Sequence, residues 1–248
     1  MALTDDEIRA ILIKEKKRKR RRKRIIRRVI LLLVIILVLV LGIYVLAHRN
    51  APGLSSLFHN RGTICIDAGH GGDDPGSEAL GRVEKDDTLR LALELKKELS
   101  DKGFHVVMTR KDDSTVDRAE RGTFANEKKA ALMISIHRNK AEDETAQGVE
   151  IYAPSDGNLE SMLLAAGIMD ALTEQGFVQR SIHTGTLTDE NDDYDENSYS
   201  EMPSCLVEVG FLSNAEDNLL FDEHLGDIAL AMADSIESTY SDLYEQEE

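Results

Sequence analysis

The stretch TICIDAGHGG (residues 63–72) joins a core strand to a loop that presents a histidine. A short apolar run ends at Asp67, and His70 follows it among three glycines. Functional groups of α/β proteins gather at the carboxyl ends of strands. Glycine permits turns and close backbone approaches that other residues cannot make. The stretch therefore predicts a buried strand that ends at a functional site.

Beyond this stretch, strand-like and helix-like segments alternate, without an internal repeat. Short apolar runs predict strands, and apolar residues recurring every three or four positions predict helices. This order predicts an α/β domain whose sheet is covered on its faces. The further predicted strands are FHVVMTR, AALMISIH, GVEIYA and SCLVEVGF, and the predicted helices lie within 86–103, 115–130, 158–176 and 224–244.

The first 47 residues differ in composition from the rest of the chain. Residues 1–28 contain thirteen Lys and Arg against four acids, and residues 29–47 are 19 residues without a charge. An apolar run of this length predicts one transmembrane helix, and the basic flank predicts a cytoplasmic N-terminus. The remaining chain would then be extracytoplasmic at the cell membrane. A cleaved signal peptide is the alternative for this segment.

The rest of the chain divides into a linker, one domain and a short tail. Residues 48–61 contain Pro, Gly and Ser and predict a linker that reaches at most about 50 Å. Residues 62–242 are long enough for a single core, and residues 243–248 form an acidic tail. The net charge is −16, and no Lys or Arg follows Arg180. Nucleic acid is therefore not an expected partner of the C-terminal part.

Two cysteines, Cys65 and Cys205, each lie inside an apolar strand-like run. We expect free thiols, because buried cysteine behaves as a small apolar residue. A disulfide is the alternative, and it requires the two strands to be neighbours.

Four polar residues stand where such side chains are costly unless they are paired or bound to metal. His70 and His137 follow strands, Glu208 interrupts the apolar run CLVEVGF, and Glu84 precedes the first predicted helix. Two histidines and a carboxylate at one edge of a sheet suit a catalytic zinc ion. A carboxylate in an apolar strand suits proton transfer beside such an ion.

Each of these residues also has a structural interpretation. The charge of Glu84 could simply favour the helix dipole, with Glu78 or Glu150 as the ligand instead. Glu208 could pair with Arg110 or Arg121 and brace the sheet. A single strand-end histidine is more often structural than a ligand. His183 could border the site, and the remaining histidines are expected at the surface: His48, His59, His105 and His224.

A series of motifs in order resembles the zinc-dependent N-acetylmuramoyl-L-alanine amidases of the type-3 family. The motifs are IDAGHGGDDPGS, EKDDTLRLALELKKEL, TRKDD, RGTFAN, SIHRN, GVEIY and PSCLVEVGFLSNAEDNLL. The resemblance implies a single domain with a mixed, twisted sheet flanked by helices. It implies Zn²⁺ held by His70, Glu84 and His137, with Glu208 as the catalytic carboxylate. The implied reaction cleaves the amide between N-acetylmuramic acid and L-alanine of the peptidoglycan stem peptide.

Three positions depart from the family pattern. Arg138 stands where alanine is usual, Ala131 where aspartate is common, and Arg118 where leucine is usual. Arg138, beside a predicted ligand, is a candidate for binding an anionic group of the stem peptide.

The acidic segment TDENDDYDENSYSEMP (residues 188–203) lacks an apolar period and predicts a mobile loop that borders the site. Two alternatives to the amidase function are open at this point. One is a zinc peptidase or amidohydrolase of other specificity. The other is a catalytically silent, peptidoglycan-binding regulatory domain.

Overall fold

A computed structural model describes residues 61–245. Eight strands and six helices alternate along this part of the chain. The strands are β1 Arg61–Ala68, β2 Glu78–Ala79, β3 Arg82–Val83, β4 Phe104–Met108, β5 Leu132–Asn139, β6 Val149–Ala153, β7 Gln179–Thr184 and β8 Ser204–Phe211. The helices are α1 Glu84–Asp101, α2 Arg118–Glu127, α3 Leu159–Glu174, α4 Asp195–Ser198, α5 Ala215–Glu223 and α6 Leu225–Tyr244.

Six strands form one mixed sheet in the order β4-β1-β5-β8-β6-β7. Neighbouring strands run parallel except for β6 and β8, which are antiparallel. The strands β1, β5 and β8 are neighbours in the middle of the sheet. Their carboxyl ends therefore lie side by side, and we call this side of the sheet its carboxyl edge. The α/β prediction is confirmed. The strand β4, which carries His105, lies at one edge of the sheet.

Each face of the sheet packs against helices. The larger core lies between the sheet and α1, α3 and α6, and it includes Ile66, Leu95 and Ile236. A smaller cluster lies on the other face, where Cys65 and Met133 pack against α2. Alternate residues of each strand therefore enter different layers, as the pleat of a strand requires.

Several elements were not predicted because their residues lack an apolar period. They are β7, the two-residue strands β2 and β3, and the short helices α4 and α5. Among residues 61–245, β1 starts at Arg61 and α6 ends at Tyr244, the predicted end of the last helix. Cys65 and Cys205 are free and buried, on strands that β5 separates.

The predicted transmembrane segment at 29–47, the basic segment before it and nearly all of the linker lie outside the described residues. Among residues 61–245, no helix is long and apolar enough to cross a membrane.

The first residue of β1 is fixed to the C-terminal helix. The guanidinium of Arg61 donates to Ser241 Oγ at 2.8 Å and forms ion pairs with Glu237 and Glu245. Its guanidinium also lies over the Phe104 ring, 4.8 Å from the centroid. These contacts are at the amino-terminal end of β1, at the edge of the sheet opposite to its carboxyl end.

A buried ion pair lies beneath the carboxyl end of β1. Arg121 Nη1 donates to Asp67 Oδ1 at 2.7 Å, and both side chains are almost inaccessible to solvent. Asp67 also accepts from Thr109 Oγ1 at 2.5 Å and from Ser135 Oγ at 2.6 Å. Burial on its own would raise the pKa of Asp67, but the charge of Arg121 and these hydrogen bonds hold that pKa below its usual range.

We expect Asp67→Asn to lower the free energy of unfolding by about 3–5 kcal/mol, because Arg121 would be left as an uncompensated buried charge. Urea unfolding measures this loss, with the exposed Asp112→Asn as the control. A carboxyl group whose pKa falls on folding contributes its full stabilisation of the folded state when the pH is above its unfolded pKa of about 3.9. It is lost as the pH falls through the lower folded pKa. The two stability curves should therefore converge only below about pH 4, and a constant gap through that range would contradict this account.

Candidate functional site

Four predicted site residues meet at the carboxyl edge of the sheet. His70 lies two residues beyond β1, His137 is near the end of β5, Glu208 is near the end of β8, and Glu84 is the first residue of α1. His137 and Glu208 are direct register partners on adjacent strands. All four line one cavity of about 610 Å³. Chain segments far apart in sequence therefore contribute to one cleft.

The pleat of the strands determines which side chains enter the cleft. Ile136 and Val207 pack in the larger core, so the next residues along their strands, His137 and Glu208, lie on the opposite face. Ser135 of β5 shares that face, where it bonds to Asp67. The apolar residues that alternate with these polar ones pack in the core and anchor each strand. The side chains of His137 and Glu208 reach the cleft.

Glu84 lies between the two histidines. Its Oε1 is 3.1 Å from His70 Nε2 and 3.1 Å from His137 Nδ1. The two imidazole rings are 4.9 Å apart, at 78° to each other. Backbone N–H groups of Ser77 and Arg138 donate to the Glu84 carboxylate at 2.8 and 3.1 Å. The carboxylate is therefore held in a fixed orientation.

The protonation of this cluster depends on its internal contacts. Burial would raise the pKa of Glu84, but hydrogen bonds and charge from His137 and His70 outweigh it and place that pKa well below its usual range. Burial would lower the pKa of His137, but Glu84 raises it to about 9. The cluster therefore retains a proton that a metal ion would displace, since histidine binds metal in its neutral form.

The donor set fits a catalytic zinc ion. The ligating atoms of His70, Glu84 and His137 all lie within 4.8 Å of one another. Ligands of tetrahedral zinc are about 3.3 Å apart, because each is about 2.0–2.1 Å from the ion. The two nitrogen–oxygen separations of 3.1 Å are close to that spacing. Two histidines and one glutamate form a known catalytic set, with one position open for water.

The glycines around His70 make room for the site. A Cβ at Gly69 would lie 2.4 Å from the His137 ring, and a Cβ at Gly76 would lie 2.6 Å from the His70 ring. His70 itself has φ of 60°, in the left-handed region. Its Nδ1 is 2.9 Å from Asp74 Oδ2, which orients the ring. Close packing against the two imidazoles therefore explains Gly69 and Gly76, whereas Gly71 and Gly72 have positive φ and lie against Ser114 and Thr115.

Glu208 is partly buried, and no charged group among residues 61–245 is hydrogen-bonded to it. Within residues 61–245, its Oε2 is buried and has no hydrogen-bond partner. Burial raises the pKa of Glu208 to about 7, although the neighbouring His137 opposes the rise. Arg110 donates to backbone carbonyls and Arg121 to Asp67, so the alternative that either arginine pairs with Glu208 is wrong. A carboxylate with a pKa near 7 is suited to take up and release a proton at neutral pH.

The competing candidates lie elsewhere. Glu78 is exposed on β2. Glu150 accepts from Arg180 Nε and Asn139 Nδ2, each at 2.7 Å. His183 stacks on Tyr152, with the ring centroids 5.0 Å apart. Neither Glu78, Glu150 nor His183 lines the cleft.

The structure corrects the expectation for Arg138. Because Arg138 follows His137 on β5, its side chain lies on the opposite face of the sheet. It is buried there over the Phe221 ring and donates to Asp87 at 2.9 Å and Asn218 at 2.7 Å. Its guanidinium is therefore committed to internal contacts, although other atoms of Arg138 line the cleft. Two exposed cations that do line the cleft are Arg118 and Lys140.

Sequence reasoning also missed Glu196 and the role of Arg121. Glu196, from the acidic segment, is buried and lines the cleft. Arg121 donates to the carbonyls of Ala68 and His70, at 3.0 and 2.9 Å. Its position inside the motif RGTFAN was the available signal. Glu196 carried no signal, because it stands among many acids that are exposed.

Comparisons with known proteins identify the family of the chain. A model of the N-acetylmuramoyl-L-alanine amidase family matches residues 64–238. YqiI of Bacillus subtilis, described as uncharacterized, is 35% identical over 181 residues, which cover 72% of this chain and 84% of YqiI. LytH of Staphylococcus epidermidis, described as a probable cell wall amidase, is 31% identical over 166 residues and 66% of this chain. The match spans about half of LytH, 52%.

Solved structures of amidases share the fold. An N-acetylmuramoyl-L-alanine amidase from Clostridium difficile 630 superposes with a TM-score of 0.67 at 29% identity, over 75% of this chain and 99% of that one. The catalytic domain of CwlV, from Bacillus (Paenibacillus) polymyxa var. colistinus, gives 0.64 at 29% identity, over 75% and 100%. CwlD from Clostridioides difficile, solved in complex with the GerS lipoprotein, gives 0.62 at 29%, over 73% and 99%.

We expect Arg138→Met to lower the free energy of unfolding by about 3 kcal/mol, because Asp87 would lose a fully buried partner. Asp87 retains Arg82, which places the loss at the lower end of the usual range. Arg90→Ala is the control, since Arg90 contacts Asp87 from a half-exposed position and should cost less than about 1 kcal/mol. Chemical unfolding measures both. A variant of unchanged stability that binds substrate more weakly would restore the substrate-contact interpretation.

Proposed function

The chain belongs to the N-acetylmuramoyl-L-alanine amidase family, and from that premise we propose that it cuts peptidoglycan as a zinc enzyme anchored in the cell membrane. The reaction of the family cleaves the amide between N-acetylmuramic acid and L-alanine. Family membership argues against a zinc peptidase of other specificity. The observation that carries the zinc proposal is the cluster in which Glu84 lies 3.1 Å from a nitrogen of each histidine.

In this proposal His70, Glu84 and His137 hold the ion. Zinc, when bound, activates water as a nucleophile and polarises the scissile carbonyl. Glu84 contributes negative charge, which its low pKa keeps available. The Ser77 and Arg138 N–H groups and Asp74 fix the orientation of Glu84 and His70. The chain thus supplies a rigid three-ligand site that leaves room for water and substrate.

Glu208 moves the protons in this proposal. Its carboxylate takes a proton from the attacking water and then donates it to the departing amine of L-alanine. Both steps need a group whose pKa is near the working pH, and burial raises the pKa of Glu208 to about 7. Its unbonded Oε2 is free to accept that proton. A catalytically silent domain would have no use for an unpaired carboxylate in this position.

Three variants of the full chain in detergent test the proposal. We expect His70→Ala to lose its zinc. We expect Glu208→Gln, which keeps its shape but cannot take up a proton, to keep zinc and melting temperature while losing activity by about 10²–10⁴-fold. The exposed Glu78→Gln is the matched control and should keep both zinc and activity. Metal analysis, thermal unfolding and mass spectrometry of digested peptidoglycan on the same samples measure these outcomes.

Stoichiometric zinc in a folded His70→Ala would contradict the ligand assignment. A zinc-loaded Glu208→Gln with near-normal turnover would contradict the proton-transfer role. New ends other than free L-alanine amines would show a different bond specificity.

The membrane part of the proposal rests on the sequence. Residues 29–47 carry no charge and follow a strongly basic segment, which supports a single span with a cytoplasmic N-terminus. We expect protease added to intact spheroplasts to remove the domain while residues 1–28 stay protected. An exported fusion of residues 1–47 to a reporter provides the control for topology. A protected domain, or a mature soluble form that starts near His48, would contradict the anchor.

A further inference from the structure

The acidic segment at residues 188–203 places one buried carboxylate behind the site. Glu196 lies on α4, and its side chain is only 8% exposed, although Asp195 beside it is exposed. Asn197 fixes the helix to the sheet, since its Nδ2 donates to the Tyr152 carbonyl at 2.9 Å and its Oδ1 accepts from Ser204 Oγ at 2.9 Å. The position of Glu196 is therefore determined by the fold and not by a free loop.

Two buried nitrogens near Glu196 have no acceptor. His137 Nε2 and Arg121 Nε are buried and lack hydrogen-bond partners in the part of the chain that the structure describes. Glu196 Oε1 is 3.9 Å from Arg121 Nε. Oxygen or nitrogen atoms of Asp67, His137 and Glu196 also lie within 4.8 Å of one another. Buried donors without acceptors are costly, so this arrangement calls for an explanation.

Asp67 is poorly placed to serve His137. Its two oxygens already accept from Thr109, Ser135 and Arg121. The bond from Arg121 to Asp67 also argues against a second metal ion among Asp67, His137 and Glu196. The guanidinium of Arg121 already supplies the positive charge that such an ion would bring. Among residues 61–245, two nearby carboxylates have oxygens that remain available: Glu208, which the proposed mechanism uses for proton transfer, and Glu196.

We propose that Glu196 is the positioning residue for His137, accepting a hydrogen bond from Nε2–H directly or through one water shared with Arg121 Nε. This inference rests on the proposed zinc site. His137 Nδ1 is the nitrogen that faces Glu84, so Nε2 carries the proton when Nδ1 binds metal. Histidine ligands of metals usually donate their second N–H to a carboxylate, a carbonyl or water, and this contact fixes the tautomer and the ring orientation.

This contact would link the acidic segment to the metal. Asp193, Tyr194 and Asp195, which precede Glu196, line the same cleft. Substrate that touches these residues would lie against the short helix that orients a metal ligand. Through Glu196, residues 188–203 would therefore help to hold a metal ligand in place.

The test compares Glu196→Gln, Glu196→Ala and the exposed Glu190→Gln in the full chain in detergent. Loss of a carboxylate behind a ligand typically weakens metal affinity 10–100-fold. We expect that loss in Glu196→Ala, a smaller loss in Glu196→Gln, whose amide oxygen still accepts a hydrogen bond, and no change in Glu190→Gln. Chelator competition measures zinc affinity, and the visible spectrum of the cobalt-substituted protein reports ligand geometry. Thermal unfolding of the metal-free protein reports the fold.

A lower melting temperature with unchanged zinc affinity and cobalt spectrum would assign Glu196 a structural role only and overturn the inference. If Glu196→Ala does not fold, the isosteric Glu196→Gln decides, and wild-type affinity and spectrum in that variant would also overturn it. Failure of the zinc proposal itself would look different. Either the wild type would bind no zinc, or His70→Ala would bind as much zinc as the wild type.

Discussion

Two buried arginines hold the backbone that carries His70, and the rest of the site depends on them. The chain leaves the sheet after Ala68, so the carbonyls that follow lose their strand partners. Arg110 donates to the carbonyls of Ala68 and Gly69, and Arg121 donates to those of Ala68 and His70. These bonds support the left-handed conformation of His70, which is unfavourable for a residue with a side chain. Asp67 offsets part of the buried positive charge.

Because both arginines are engaged in these contacts, Glu208 has no cationic hydrogen-bond partner within residues 61–245. Its two strand neighbours are His137 on β5 and Glu150 on β6. His137 interacts with Glu84, while Glu150 is bonded to Arg180 and Asn139. Each neighbouring charge is therefore compensated by another residue, and Glu208 retains the elevated pKa that burial produces. A pairing arginine at this point would lower that pKa and remove its value for proton transfer.

The sequence predicted the strands whose ends form the site, because His137 and Glu208 follow or interrupt apolar runs that must be buried. It could not predict which charges pair, since pairing depends on contacts between distant segments. Arg138 shows the difference: adjacency to His137 suggested a substrate contact, but alternation along β5 directs its side chain to Asp87 on the other face. Glu196 was hidden for a related reason, because only the docking of α4 through Asn197 separates it from the exposed acids around it.

The contacts of Arg61 have a mechanical consequence. Arg61 and Ala68 are the two ends of β1, about 23 Å apart along the extended strand, and the cleft opens beyond Ala68. Tension on the chain before residue 61 would be borne by its ion pairs to Glu237 and Glu245, at the edge remote from the cleft. The carboxyl edge of the sheet, where the site lies, would then be spared this load.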